Sequence, residues 1–134
     1  MQQIHIEAVT ENLSNVTSFV EEILEARACS MKASMQILVA LEEMYVNVCH
    51  YAYGDKTGYV DIAVEFEDDN TVSITLKDEG IPYNPLEKSD PDISLPLDER
   101  PIGGLGIFMV KKSMDHVAYE HVDGCNVFTM TKSW

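Results

Sequence analysis

A long helical pattern near the middle of the chain constrains the fold more than any other stretch. Apolar residues recur at helical spacing over residues 30–53, which predicts one long amphipathic helix. Ser30 suits the N-cap of this helix, and Gly54 stands where a C′ glycine would end it. The apolar stripe is continued at its upstream end by Met31, Met35 and Leu38.

Two polar residues, Glu43 and Asn47, interrupt the apolar neighbourhood of this helix. They are spaced i and i+4, so they project from the same face one turn apart. A carboxylate and an amide placed in this way can hold a cation and orient a water. A surface glutamate near an asparagine is also common without any function, and the pair alone leaves both interpretations open.

The remaining segments predict a β-α-α-β-β-loop-α-β-β order. Helices and hairpins segregate in this order, which favours an α+β two-layer sandwich with a mainly antiparallel mixed sheet and its helices on one face. The length fits one domain, residues 1–134. The first helix is predicted to start after a Thr10 N-cap and to end near Arg27. The other predicted segments are the strands 2–9, 59–67, 71–77, 117–122 and 125–131, and the helix 104–116.

The charge of the chain limits its partners. The 23 acidic and 9 basic side chains give a formal net charge of −14, which repels phosphate backbones. We therefore expect no direct nucleic-acid binding and no attachment to anionic membranes, and no window approaches the length of a membrane span. A small anionic ligand is compatible with this charge where backbone N–H groups and a counter-cation hold it.

The three cysteines, Cys29, Cys49 and Cys125, are widely spaced and lie in apolar surroundings. Their spacing does not suggest zinc, and we interpret them as buried thiols in a reducing compartment. The N-terminal residues lack the basic and apolar regions of a secretory signal. We therefore expect a cytoplasmic location.

Two short motifs follow the central helix. Asp78-x-Gly80 comes directly after a predicted strand, where Gly80 permits a tight turn and the approach of a planar ligand. A shielded Asp78 would suit an exocyclic amine such as adenine N6. Gly103-Gly104-Leu105-Gly106 opens the last helix, where backbone N–H groups favour phosphate. An ordinary strand-end turn and a glycine hinge without ligand are the alternatives.

Residues 86–101 show no period and contain Pro91, Pro96 and Pro101. We predict a long mobile loop, which is either functional or a plain connector.

The three motifs in this order resemble the N, G1 and G2 boxes of the GHKL ATPases, the superfamily of gyrase, the histidine kinases and MutL. A narrower similarity links the chain to the bacterial anti-sigma factor serine kinases and spans almost its whole length. It is carried by residues 47–53, 78–85, 104–115 and 124–132. The resemblance implies a histidine kinase-like ATPase fold with ATP and Mg²⁺ as cofactors.

The resemblance also implies roles for individual residues. Glu43 would be the general base, and Asn47 would ligate Mg²⁺. Asp78 would bind the adenine amine, Gly80 would make room for the ring, and Asn126 would lie near the adenine. The phosphates would be held by Gly103, Gly104, Leu105 and Gly106, with residues 86–102 as the ATP lid and Arg100 near the terminal phosphate.

Three positions depart from the pattern of the family. Pro82 replaces the second glycine of the fuller G1 box, and Tyr51 stands where many relatives have histidine. Glu42 precedes Glu43, but only Glu43 has the i+4 relation to Asn47.

The function implied by the resemblance is that of an anti-sigma regulatory factor. Such a protein binds a sigma factor, phosphorylates a serine or threonine of an anti-anti-sigma partner, and forms a homodimer. A nucleotide-gated module that sequesters a partner without phosphorylating it is the alternative. A histidine kinase fragment is disfavoured because the chain has its own β-α-α start and no dimerisation helix with a phosphoacceptor histidine.

Overall fold

Within residues 1–87 and 105–134, which the computed structural model describes, five strands form one antiparallel sheet and three helices pack on one of its faces. The strands are β1 Gln2–Glu7, β2 Tyr59–Asp68, β3 Thr71–Asp78, β4 His116–Val122 and β5 Cys125–Ser133. Their order in the sheet is β1-β2-β3-β5-β4. The helices are α1 Leu13–Ala26, α2 Met31–Tyr51 and α3 Leu105–Ser113. The predicted two-layer α+β sandwich is confirmed, and all four strand pairings are antiparallel.

Alternation along the strands determines which face of the sheet is buried. Every second residue is buried along β3 and along the first half of β2, and Ile62 lies opposite Leu76 in the register of the two strands. Leu76 in turn lies opposite Phe128 of β5, so one apolar row crosses the sheet beneath the helices. The intervening positions carry side chains such as Thr75 and Thr129, whose hydroxyls are 3.3 Å apart. The sheet therefore has one face built for a core and one more polar face.

Helix α2 lies against both α1 and α3, and it buries Ile37, Leu41, Met44 and Tyr45 against the sheet. The Tyr45 hydroxyl donates to the carbonyl oxygen of Val9 at 2.6 Å. Burial raises the pKa of Tyr45, so the hydroxyl keeps its proton for this bond at neutral pH. The bond ties the middle of α2 to the segment after β1.

The prediction that the buried stripe of α2 continues upstream through Met31, Met35 and Leu38 is wrong. Met31 and Met35 are 81% and 62% exposed, and Leu38 is only half-buried. Met35 precedes the fully buried Ile37 by two residues, which places it about 200° around the helix from the core. Helical spacing alone did not distinguish this exposed row from the buried one.

The ends of the helices differ from the prediction in detail. Ser30 caps α2 as predicted, because its Oγ accepts from the Ala33 N–H at 3.2 Å. Thr10 is not an N-cap; it begins a 3-10 turn, Thr10–Asn12, that precedes α1. Helix α2 ends at Tyr51 with Ala52 as its C-cap, so Gly54, with a φ of 60°, lies two residues beyond the C-cap. Helix α3 ends at Ser113 because β4 already begins at His116.

The three cysteines are free thiols. Cys125 is buried, whereas Cys29 and Cys49 are half-buried, and burial raises the pKa of both of these thiols. Within residues 1–87 and 105–134, no helix has the length and apolarity required to cross a membrane.

Candidate active site

A cavity lies between the C-terminal half of α2 and the adjoining ends of β3 and β5. Its walls are largely apolar and include Met44, Val48, Leu76, Ile81 and Phe128. Polar groups enter it at a few positions only, from Asn47, Asp78, Asn126 and the tyrosines 51, 83 and 119. The lining suits a flat apolar ring that carries a few polar atoms.

Asp78, the last residue of β3, presents a fixed carboxylate to this cavity. The side chain is 6% exposed. Its Oδ1 accepts from the Gly80 N–H at 2.9 Å and from Asn126 Nδ2 at 2.9 Å. No hydrogen bond from the described residues reaches Oδ2, so this oxygen can accept from a ligand amine.

Asn126 holds Asp78 in place from the neighbouring strand. The two residues are paired in the β3–β5 register, and Asn126 Nδ2 also donates to the Ile81 carbonyl oxygen at 2.9 Å. Asn126 Oδ1 accepts from the Tyr83 N–H at 3.1 Å and from the Tyr119 hydroxyl. The amide therefore lines the cavity, but the hydrogen bonds that it makes are within the protein. One of them orients the Asp78 carboxylate.

Gly80 lies so close to the end of α2 that a side chain would not fit there. A Cβ on Gly80 would lie 2.2 Å from the carbonyl oxygen of Ala52, and that same oxygen accepts from the Ile81 N–H at 2.7 Å. The turn after β3 thus packs directly on the helix that carries Asn47. The close approach of two backbones explains the glycine here, in addition to any space that a ligand needs.

Glu43 and Asn47 lie at different depths on α2. Asn47 is half-buried and lines the cavity, whereas Glu43 is exposed and does not line it. Glu43 instead lies against the start of α3, because a Cβ on Gly106 would be 2.2 Å from its Oε2. The fold therefore brings the carboxylate of the first motif to the helix that the glycine motif opens.

Several predicted residues fall outside the described part of the chain. Arg100, Gly103 and Gly104 do so, and so does the predicted lid 86–102 beyond its first two residues. Those two residues, Leu86 and Glu87, complete a 3-10 turn, Pro85–Glu87. Leu105 begins α3.

Two tyrosines border the cavity as a stacked pair. The rings of Tyr51 and Tyr83 have centroids 5.5 Å apart and planes inclined by 26°. Tyr51 is 50% exposed, so the pair stands between the cavity and solvent. Sequence reasoning noted Tyr51 only as a departure from the family and gave no role to Tyr83 or Tyr119. The G1-like stretch that contains Tyr83 was the only signal for it.

The residues that line the cavity fit a cation that is bound jointly by a protein oxygen and by a ligand. Over the two described segments, no cluster of three or more His, Cys, Asp or Glu side chains could hold a metal ion. Mg²⁺ is usually bound by one or two protein oxygens together with phosphates and waters. The Asn47 amide oxygen fits that mode.

Comparison with known proteins identifies the family of the chain and several relatives. Residues 6–132 match the family model of the histidine kinase-like ATPase domain. The chain is 32% identical over 98 residues to the serine-protein kinase RsbW of Bacillus thuringiensis, and 31% identical to that of Bacillus cereus strain AH187. These matches cover 70% of this chain and 60% of each relative, so the chain spans less than two thirds of their length.

Solved structures share the fold. The RsbU and RsbW domains of Rv1364c from Mycobacterium tuberculosis superpose with a TM-score of 0.68, at 16% identity, over 99% of this chain and 32% of that one. The SiaB–SiaC complex from Pseudomonas aeruginosa superposes with a TM-score of 0.62, at 16% identity, over 100% of this chain and 90% of the matched one. With the family model matching nearly its full length, the chain belongs to the histidine kinase-like ATPase domain family.

Proposed function

We propose that the protein binds Mg-ATP in this cavity and transfers the terminal phosphoryl group to a serine or threonine of a protein partner. The observation that carries the proposal is the carboxylate of Asp78. It lies in an apolar cavity, with Oδ1 fixed by Gly80 and Asn126 and with Oδ2 open to an amine. An adenine ring matches both the apolar walls and the acceptor.

The placement of the other residues fits phosphoryl transfer. With the adenine amine at Asp78, Asn47 lies beside the bound nucleotide and can contribute an oxygen to Mg²⁺. The ion, when bound, supplies charge neutralisation at the phosphates. Glu43 takes the proton from the hydroxyl as the hydroxyl oxygen bonds to the γ-phosphorus and the bond to the leaving ADP oxygen breaks. The start of α3, where Gly106 meets Glu43, adds the partial positive charge of a helix N-terminus.

The partner class rests on the relatives. Relatives that are 32% identical to the chain over 98 aligned residues are named serine-protein kinases, and one structural neighbour is a complex of SiaB with SiaC. We propose that the chain acts in the cytoplasm as an anti-sigma regulatory factor, with an anti-anti-sigma protein as the phosphorylated partner and a sigma factor as the sequestered one. A homodimer is the proposed assembly.

The exposure of Glu43 outside the cavity also suits the second candidate, a nucleotide-gated module that binds its partner without phosphorylating it. The deciding experiment has two steps. Calorimetric titration with ATP and Mg²⁺ tests the site, and incubation with radiolabelled ATP and a small anti-anti-sigma domain tests transfer. We expect saturable binding and a labelled serine or threonine. Binding without label supports the module, and absence of binding contradicts both functions.

The contact between Gly106 and Glu43 gives a separate prediction. Gly106→Ala places a methyl group where the Glu43 carboxylate lies, and the carboxylate moves because it is the end of a flexible side chain. Alanine also favours the helix over glycine by about 1 kcal/mol. We therefore expect unchanged or higher thermal stability with phosphoryl transfer slowed at least about 10-fold, which is less than the roughly 10²–10⁴-fold contribution of a positioned base because the carboxylate is displaced and not removed. Thermal unfolding and a transfer assay at saturating ATP measure the two effects. A variant with a lower melting temperature and a normal rate would contradict this.

A further inference from the structure

The turn after β3 is held by three consecutive backbone N–H groups, each with a different acceptor. The Gly80 N–H donates to Asp78 Oδ1 at 2.9 Å, and the Ile81 N–H donates to the Ala52 carbonyl oxygen at 2.7 Å. The first of the three, the Glu79 N–H, donates to the hydroxyl of Tyr53 at 2.9 Å. Two of these three acceptors thus come from the two residues that directly follow Tyr51, the last residue of α2.

Tyr53 bonds to the turn but does not line the proposed nucleotide cavity. Its hydroxyl also donates to the Tyr59 carbonyl oxygen at 2.6 Å, which ties the turn to the first residue of β2. Burial raises the pKa of Tyr53 above its ordinary value, so the proton needed for that bond is retained at neutral pH. The ring lies on Gly58, where an added Cβ would be 2.3 Å from ring carbons. The hydroxyl is therefore fixed in position by its two hydrogen bonds and by the contact of the ring with Gly58.

Asp78 lines two cavities. One is the proposed nucleotide site, which Tyr53 does not line. The other is a cleft that is lined also by Tyr53, Tyr59 and Glu79. A change at Tyr53 can therefore move the Asp78 turn without removing any group that faces the nucleotide.

From this geometry we propose that Tyr53 is a positioning residue that sets the selectivity of the site for a 6-amino purine. The inference rests on the proposed function. Tyr53 holds the Glu79 N–H, and the turn in that position aims Asp78 Oδ2 at the exocyclic amine. A purine with oxygen at C6 offers no donor there and gains nothing from the alignment. Tyr53 thus contributes to the discrimination between the two purines without touching either.

The test compares ATP with inosine triphosphate, which has oxygen in place of the amine. Tyr53→Phe keeps the ring on Gly58 and removes the acceptor of the Glu79 N–H. We expect ATP affinity to fall about 10-fold, the upper part of the net contribution of one hydrogen bond, while inosine triphosphate affinity changes less than about 3-fold. The KM for ATP should rise with kcat nearly unchanged, because Glu43 and Asn47 stay on α2. Calorimetry and steady-state transfer assays measure these values.

Two further variants make the result specific. Tyr59→Phe removes a hydroxyl from the same cleft that makes none of the bonds to the turn, and it should keep the wild-type preference for ATP. Gly58→Ala pushes the Tyr53 ring aside without changing that residue, and it should reduce the preference as Tyr53→Phe does. If Tyr53→Phe and Gly58→Ala melt at lower temperature but keep the wild-type ratio of the two affinities, Tyr53 is only structural and the inference is wrong. If the wild-type protein does not bind ATP, the proposed function itself fails, and the inference with it.

Discussion

Replacing Glu43 with glutamine is expected to lower phosphoryl transfer by about 10²–10⁴-fold, the usual contribution of a positioned general base. Glutamine keeps the shape of the side chain but cannot accept the proton of the attacking hydroxyl. Glu43 does not line the cavity, so ATP affinity should change little. The exposed position also means that the fold loses no core volume. Transfer at saturating ATP, measured beside calorimetric ATP binding, separates the two effects.

The adjacent glutamate provides the matched control. Glu42 is also exposed, and Glu42→Gln removes the same charge from the neighbouring position of α2. It lies about 100° around the helix from Glu43, away from the side that meets Gly106. The control should therefore transfer phosphate at the wild-type rate. The opposite pattern would place the base at Glu42, and two normal rates would favour the nucleotide-gated module over the kinase.

The five strands and the two hairpins, β2–β3 and β4–β5, could be predicted because apolar and polar residues alternate along each strand and a short turn joins each pair. The pairings of β1 with β2 and of β3 with β5 were not predicted, because those strands are distant in sequence. The buried face of α2 was harder to predict, because Met31 and Met35 form a second row of apolar residues two positions out of phase with Ile37. Both rows satisfy helical spacing. Only the packing against the sheet and the other two helices determines which row is buried, and this information is not local to the helix.

The candidate site likewise contains residues that could be predicted from the sequence and residues whose role depends on the fold. Asp78 and Gly80 were recognisable as a motif because the two residues are adjacent to a strand end and act on each other locally. Asn126 is 48 residues away from Asp78, and its role depends on the register that pairs β3 with β5. The contribution of Tyr119 depends in turn on the β4–β5 hairpin, where it lies opposite Phe128. Sequence spacing carries no signal for partners that meet through a register.

The hydrogen bonds of Asp78 to Gly80 and Asn126 determine what the substitution Asp78→Asn is expected to do. The asparagine oxygen can still accept from the Gly80 N–H and from Asn126 Nδ2, so the turn keeps its two bonds and the protein should stay folded. The asparagine amide group then replaces Oδ2 and meets the adenine amine, donor against donor. Rotating the amide by 180° would restore the ligand contact but lose both internal bonds. Either arrangement weakens ATP binding, by roughly 1–3 kcal/mol, the scale of a lost charge-assisted hydrogen bond.

The same substitution should favour a purine with oxygen at C6, because the new amide can donate to that oxygen. Calorimetric titration of Asp78→Asn with ATP and with inosine triphosphate is therefore expected to show a loss for the first and no loss for the second. Asp61→Asn is the matched control. It removes an equal charge from the adjacent strand β2, at a residue that contacts His5 and does not line the nucleotide cavity. If Asp78→Asn binds ATP as tightly as this control does, Asp78 does not read the adenine, and the carboxylate serves only to close the turn after β3.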